Sequence, residues 1–149
     1  MLKISKHYLA FLIASCVLFA SPLSADPVKG NLVSVDWLEK NLKDADLLIL
    51  DASPAQIYKG QHIPGALNVD LFSYGALEPS VPEMEQRLQS VGVSRGKKIL
   101  IYDQGGSFMA TRLFYDLYYY GYPAKDLLIL DGGLAKWKAH VLDYRNNAE

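Results

Sequence analysis

Beyond its first 25 residues, the chain alternates short apolar runs with longer segments whose apolar residues recur at helical spacing. A run that is apolar at every position is typical of a strand buried on both faces, as in the centre of a parallel sheet. Three such strands are predicted, at 46–51, 98–102 and 127–130. Strands that alternate with helices predict an α/β fold, a parallel central sheet flanked by helices and joined by right-handed crossovers.

Polar residues and glycines mark the ends of the predicted helices. Ser34 is placed to cap a helix over 35–42. The segments 53–56 and 80–83 each read as a capping box, Ser-x-x-Gln or Ser-x-x-Glu, with a proline near the helix start. The helices that follow are predicted to end near Gly60 and Gly92. Two more helices are predicted, over 109–120 and from the glycine pair 132–133 through Trp137.

The first 25 residues have the layout of a secretory signal peptide. Two lysines precede an apolar run over 8–20, and small residues then lead to Ala25. The run is too short to cross a membrane as a helix. We therefore predict cleavage near Ala25 and a periplasmic or secreted location, with no membrane attachment after cleavage.

Two alternatives to ordinary export stay open. Ile13-Ala14-Ser15-Cys16 fits a lipoprotein signal, but the apolar run continues past Cys16, so ordinary export is favoured. An uncleaved anchor is the other alternative. Under the favoured prediction the chain divides into a signal peptide (1–25), one domain (26–142) and a polar tail (143–149).

The charge and the cysteine content limit which partners and which reactions the exported domain can have. The whole chain has a formal net charge of −1, and removing the two lysines of the signal peptide makes it more negative. A weakly acidic domain without a basic run argues against nucleic acid as a partner. Cys16 is the only cysteine, so the exported domain has no disulfide and no thiol chemistry.

An aspartate stands at the end of each predicted strand. Asp51, Asp103 and Asp131 should gather at one edge of a parallel sheet, where ligands bind in open α/β folds. They either end strands and cap helices, or form a carboxylate pair or metal site. No histidine or glutamate at ligand spacing accompanies them, so no metal is predicted. The glycine pairs 105–106 and 132–133 belong to no nucleotide-binding motif, and no cofactor is predicted.

Two stretches of the chain resemble the signatures of rhodanese domains. Asp51-Ala52-Ser53 followed by Tyr58-Lys59-Gly60-Gln61-His62-Ile63-Pro64-Gly65-Ala66 resembles the first signature, with Gln61 as an addition. The segment 130–137, Leu-Asp-Gly-Gly-Leu-Ala-Lys-Trp, resembles the closing one. The pair is most similar to the amino-terminal domain of two-domain thiosulfate or 3-mercaptopyruvate sulfurtransferases. The resemblance implies a three-layer rhodanese-like fold. From the residues alone, His62 is predicted to hold the Pro64–Gly65 turn in place by hydrogen bonding.

The same resemblance implies a catalytic loop whose nucleophile is missing. Rhodanese chemistry needs a cysteine after the central strand, and Asp103 stands at the matching position. In active domains an arginine follows five residues later, where this chain has Phe108; Arg112 lies nine residues on. The implied vestigial loop is Asp103, Gln104, Gly105, Gly106, Ser107 and Phe108, and no residue of this chain is assigned a catalytic role.

The resemblance also implies a partner, because the amino-terminal domains of two-domain enzymes support a second rhodanese domain that carries the thiol. That domain would be encoded beyond residue 149 or on a separate chain. Phe108, Arg112, Tyr115 and Tyr119 share one helix face and form the possible partner surface. The alternatives are tyrosines that are merely half-exposed, and an exported binding module that uses the Asp103 loop without sulfur transfer.

Overall fold

The computed structural model describes residues 30–74 and 78–147. The predicted signal peptide, its cleavage point and Cys16 lie outside these residues. Within them, no helix is long and apolar enough to span a bilayer.

A five-stranded, fully parallel sheet forms the centre of the molecule, which confirms the predicted fold class. The strand order is β1-β5-β4-β2-β3. The three apolar runs are the three inner strands, because only strands with neighbours on both sides and helices on both faces are apolar throughout. The two-residue edge strands were not predicted, since two residues carry no periodic signal. The strands are β1 (Leu32–Val33), β2 (Leu47–Asp51), β3 (Leu67–Asn68), β4 (Lys98–Tyr102) and β5 (Leu127–Leu130).

Helices cover both faces of the sheet and make the three predicted layers. One hydrophobic core contains residues of α3 and α4, and the other contains residues of α1 and α5. Both cores draw on β2, β4 and β5, whose alternate side chains point to opposite faces. The helices are α1 (Val35–Asn41), α2 (Ala55–Gly60), α3 (Val81–Ser90), α4 (Met109–Tyr119) and α5 (Gly133–Asn147).

Two of the three predicted helix caps are confirmed. The Ser34 hydroxyl accepts the Trp37 N–H at 3.2 Å. At α3, the Glu83 carboxylate accepts the Ser80 hydroxyl at 2.7 Å and the Ser80 N–H at 2.8 Å, and these two hydrogen bonds hold the pKa of Glu83 below its usual value.

The prediction of a capping box at Ser53 is wrong. Helix α2 begins one residue later than predicted, and its Ala55 N–H donates to Asp70 Oδ2 at 3.0 Å. Ser53 is buried and donates its hydroxyl to Gln104 Oε1 at 3.1 Å, so it is unavailable as a cap. The Asp70 carboxylate, 15 residues after Ala55, therefore caps α2 in place of Ser53.

Helix α5 is longer than predicted. It was expected to run through Trp137, and it continues to Asn147. The backbone of residues 143–147, predicted as a polar tail, is therefore helical. Polar residues without a stop signal can extend a helix once its first turns are packed against a core.

Candidate functional site

The three strand-end aspartates lie on neighbouring strands, as the parallel arrangement predicted. Strands β5, β4 and β2 are adjacent, and Asp51 is in register with Tyr102. Side chains alternate between the faces of a sheet, so Asp51 shares the α1/α5 face with Tyr102, and Asp103 points to the α3/α4 face. Asp131 is half-exposed and pairs with Lys136. The three carboxylates therefore do not form one acid/base or metal cluster.

Asp51 belongs to a buried polar cluster beneath the His62–Ala66 turn. Its Oδ1 accepts the Ser53 N–H at 2.8 Å, while its Oδ2 is buried and has no hydrogen-bond partner among the residues that the structure describes. The neighbouring Tyr102 hydroxyl accepts the Ile63 N–H at 3.0 Å. Burial raises the pKa of Tyr102, and the nearby Asp51 carboxylate raises it further. Tyr102 is therefore a neutral phenol that ties the central strand to the turn.

His62, which was predicted to hold the Pro64–Gly65 turn in place, stands at the start of this turn and contacts Tyr58. Its Nδ1 lies 2.9 Å from the Tyr58 carbonyl oxygen, and its ring stacks on the Tyr58 ring with centroids 4.2 Å apart. The Tyr58 hydroxyl donates to the Ala66 carbonyl at 2.7 Å. These contacts close the turn through the hydrogen bonds of Tyr58.

Asp103 points into its own loop. It is 4% exposed, its Oδ1 accepts the Gly105 N–H at 2.8 Å, and its Oδ2 accepts the Ala110 N–H at 3.0 Å. Ala110 lies in the first turn of α4, where a helix has N–H groups without intrahelical partners and carries partial positive charge. Asp103 is thus the amino-terminal cap of α4, seven residues before the N–H that it binds.

The backbone carbonyls of the same loop cap a second helix. The Asp103 carbonyl accepts the Leu134 N–H at 2.8 Å, and the Gln104 carbonyl accepts the Ala135 N–H at 3.1 Å. Both donors lie in the first turn of α5. The loop from Asp103 to Phe108, here called the Asp103 loop, therefore joins the amino ends of α4 and α5.

The two glycine pairs allow these loops to touch. Gly133 has φ +56°, and a Cβ there would lie 2.5 Å from the Asp103 carbonyl oxygen. Gly105 has φ +98°, and a Cβ there would lie 2.6 Å from the Gly132 carbonyl oxygen. Gly105 and Gly133, which belong to no nucleotide-binding motif, thus allow the backbones of the two loops to pack closely.

The remaining loop residues differ in exposure. Gln104 is half-buried and accepts the Ser53 hydroxyl, which links the loop to the end of β2. Gly106 and Phe108 are exposed at the loop surface, and Ser107 is half-buried. Within the described residues, no group of three or more histidine, cysteine or acidic side chains is placed to hold a metal ion. With both Asp103 oxygens occupied, the loop presents no free acid or base.

The outer face of α4 exposes the four residues predicted as a partner surface. Phe108 is 64% exposed, and the rings of Tyr115 and Tyr119 stack with centroids 6.0 Å apart. Arg112 donates to the buried Asp116 at 2.8 Å. Asp116 was not predicted, although its i,i+4 spacing from Arg112 is the available sequence signal.

The family of the chain follows from comparison with known proteins. The model of the rhodanese-like domain matches residues 34–140. Thiosulfate/3-mercaptopyruvate sulfurtransferase 1 of Arabidopsis thaliana is 34% identical over 145 residues, covering 87% of this chain and 37% of the relative. The 3-mercaptopyruvate sulfurtransferase of Escherichia coli K12 is 32% identical, covering 71% of this chain and 43% of the relative.

A solved structure supports the same family. The chain is similar to the crystal structure of SseA, a 3-mercaptopyruvate sulfotransferase from Escherichia coli, with a TM-score of 0.66 and 28% identity. The match covers 75% of this chain and 50% of SseA. The chain thus spans half or less of the length of these relatives. Sequence and fold agree that it belongs to the rhodanese-like family and is homologous to the thiosulfate/3-mercaptopyruvate sulfurtransferases.

Proposed function

We propose that this chain is a catalytically silent rhodanese domain that supports an exported sulfurtransferase. The observation that carries the proposal is the Asp103 carboxylate, which fills its loop and accepts the Gly105 and Ala110 N–H groups. These are the donors that a thiolate or persulfide at this position would need. The loop is thus a cradle for a negative charge, and a side chain that cannot carry sulfur occupies it.

Asp103 cannot replace a catalytic cysteine. Sulfur transfer in rhodanese chemistry passes through a persulfide, which requires a nucleophilic sulfur atom. A carboxylate forms no such bond, and its negative charge repels thiosulfate. Because Cys16 is the only cysteine in the sequence, no other residue of the exported domain can supply the thiol.

The alternative function, a binding module that uses the Asp103 loop to meet a cation, has less support. Asp103 is 4% exposed and both its oxygens already accept backbone N–H groups. A cation would have to displace the cap of α4. The silent sulfurtransferase domain is therefore favoured.

The purified chain is expected to form no thiocyanate from thiosulfate and cyanide. The measurement is the colorimetric thiocyanate assay, with the similar Arabidopsis sulfurtransferase as the positive control. Steady turnover by this chain above the uncatalysed rate would contradict catalytic silence.

Asp103→Cys, in a Cys16→Ser background, is expected to give a thiol with a pKa below the ordinary value of about 8.5. The reason is that the N–H groups at the amino end of α4 stabilise the thiolate. The pKa is measured by thiolate absorbance against pH. Ala139→Cys, exposed in the middle of α5, is the matched control and should titrate normally. Equal pKa values for the two thiols would refute the cradle.

We propose a second rhodanese domain with the missing cysteine as the partner. The support is that the curated relatives are more than twice as long as the matched region. Sequencing past Glu149 and of the neighbouring reading frames tests this. A second His-Ile-Pro-Gly motif with a Cys-x-x-x-x-Arg loop is expected.

The exposed face of α4 is the proposed contact with that partner. Tyr115→Ser combined with Tyr119→Ser should weaken binding to the second domain at least about tenfold, because exposed aromatic residues often dominate interfaces. Isothermal calorimetry is the measurement. Val81→Ser, on the exposed surface of α3, is the control and should leave affinity unchanged. Unchanged affinity of the tyrosine variant would place the contact elsewhere.

Export is proposed on the signal-like segment alone. Mass spectrometry of the exported chain should give Asp26 as its first residue. An intact amino terminus, or a lipid on Cys16, would contradict this processing.

A further inference from the structure

A cleft of about 710 Å³ lies between the carboxyl-terminal parts of α3 and α4. A volume of this size falls in the range of small-molecule sites, roughly 300–1,000 Å³. The cleft lies at the amino end of β4, whereas the Asp103 loop follows its carboxyl end, about 17 Å away along the strand. The residues that define this α3–α4 cleft for the argument are Leu88, Val93, Arg95, Leu117, Tyr120 and Tyr122.

The floor of the α3–α4 cleft is apolar, and the tyrosine rings that form its walls are anchored by hydrogen bonds. Leu88, Val93 and Leu117 are buried members of the hydrophobic core. The Tyr120 hydroxyl donates to the Pro79 carbonyl at 2.6 Å, and the Tyr122 hydroxyl lies 2.6 Å from the Lys97 carbonyl oxygen. Burial raises the pKa of Tyr122, as does the charge of Asp126. Both rings are therefore held in place without a ligand, which lowers the entropy cost of binding one.

The rim of the cleft carries one positively charged side chain that pairs with no other described residue. Glu85 accepts the Gln89 side-chain amide at 3.1 Å and keeps its negative charge at the rim, but it forms no ion pair with Arg95. Arg95, by contrast, forms no hydrogen bond or ion pair with any residue in the described ranges. A guanidinium offers paired N–H donors that fit a carboxylate.

We infer that the α3–α4 cleft binds a small organic acid, with its carboxylate on Arg95 and its apolar body on the accessible edges of Leu88 and Val93. The anionic end stays at the rim, where the Arg95 guanidinium pairs with it and water still solvates it. The apolar end lies between the two tyrosine rings. This site is independent of the Asp103 loop and of the proposed silence.

The test is titration of the ¹⁵N-labelled chain with phenylacetate, followed by NMR. Saturable shifts are expected at the amides of Gly96 and Gly121, which line the α3–α4 cleft. Gly106, in the Asp103 loop, should not move. Phenylacetamide, which has the same body without the charge, should bind about two- to fivefold more weakly, as expected for an exposed ion pair.

Variants separate the guanidinium from general charge. Arg95→Gln should weaken phenylacetate binding about two- to fivefold, to the level of phenylacetamide. Lys43→Gln removes one positive charge from the exposed loop after α1 and should leave binding unchanged. Absence of saturable shifts at Gly96 and Gly121, equal binding of acid and amide, or full affinity in Arg95→Gln would overturn the inference. Shifts confined to Gly106 would move the anion site to the Asp103 loop and would overturn it too.

Discussion

Asp103→Ala is expected to lower the free energy of unfolding by about 2–3 kcal/mol, the sum of a lost helix cap and a buried donor left without a partner. The substitution removes both acceptors from the Gly105 and Ala110 N–H groups. Ala110 lies in the first turn of α4, the helix that packs on β4 and β5 in the α3/α4 core. Urea unfolding followed by circular dichroism measures the change.

Asp44→Ala is the matched control for this loss. Its Oδ1 accepts the Asp46 N–H at 2.9 Å in an exposed turn, so water can replace that hydrogen bond. The expected change is below about 0.5 kcal/mol. If both alanine variants lost the same stability, the two hydrogen bonds that Asp103 accepts would not stabilise α4 measurably.

Gly133→Ala is expected to cost about 3 kcal/mol or more, which combines a strained left-handed backbone with a steric clash. A Cβ at Gly133 would lie 2.5 Å from the Asp103 carbonyl oxygen and 2.8 Å from the Gly105 nitrogen. Both neighbours are backbone atoms of a loop held by two helices, so neither can move aside cheaply. Thermal and urea unfolding measure the loss.

Gly106→Ala isolates the backbone contribution. Gly106 has φ +72°, and a Cβ there meets no atom within 4 Å. Its substitution should therefore cost only the left-handed penalty, about 1–2 kcal/mol. A Gly133→Ala variant that is no less stable than Gly106→Ala would show that the contact between the two loops is not tight.

Much of the fold could be predicted because its signals are local. The strand over 98–102 and the helix over 109–120 agree with β4 and α4 to within one residue. Continuous apolar runs, capping residues and glycine stops operate within a few residues of the position that they determine. The confirmed box at Ser80 belongs to this class, since both partners lie within one helical turn.

The caps of α2 and α4 could not be predicted for the opposite reason. Asp70 caps α2 from 15 residues away, and Asp103 caps α4 from seven residues away. No spacing rule relates such positions, because the loops that bring them together are set by the packing of helices on the sheet. Ser53 has the right local pattern for a cap, and burial against Gln104 overrides it.

The sequence by itself determined the parallel α/β architecture, the aspartate at each inner strand end and the absence of a cysteine from residues 26–149. These depend on residue type and short-range pattern. Only the tertiary structure decided what each aspartate does: Asp51 lies buried beside Tyr102, Asp103 caps α4, and Asp131 pairs with Lys136. The physical reason is that a carboxylate takes its role from the donors around it, and distant segments of the chain supply those donors.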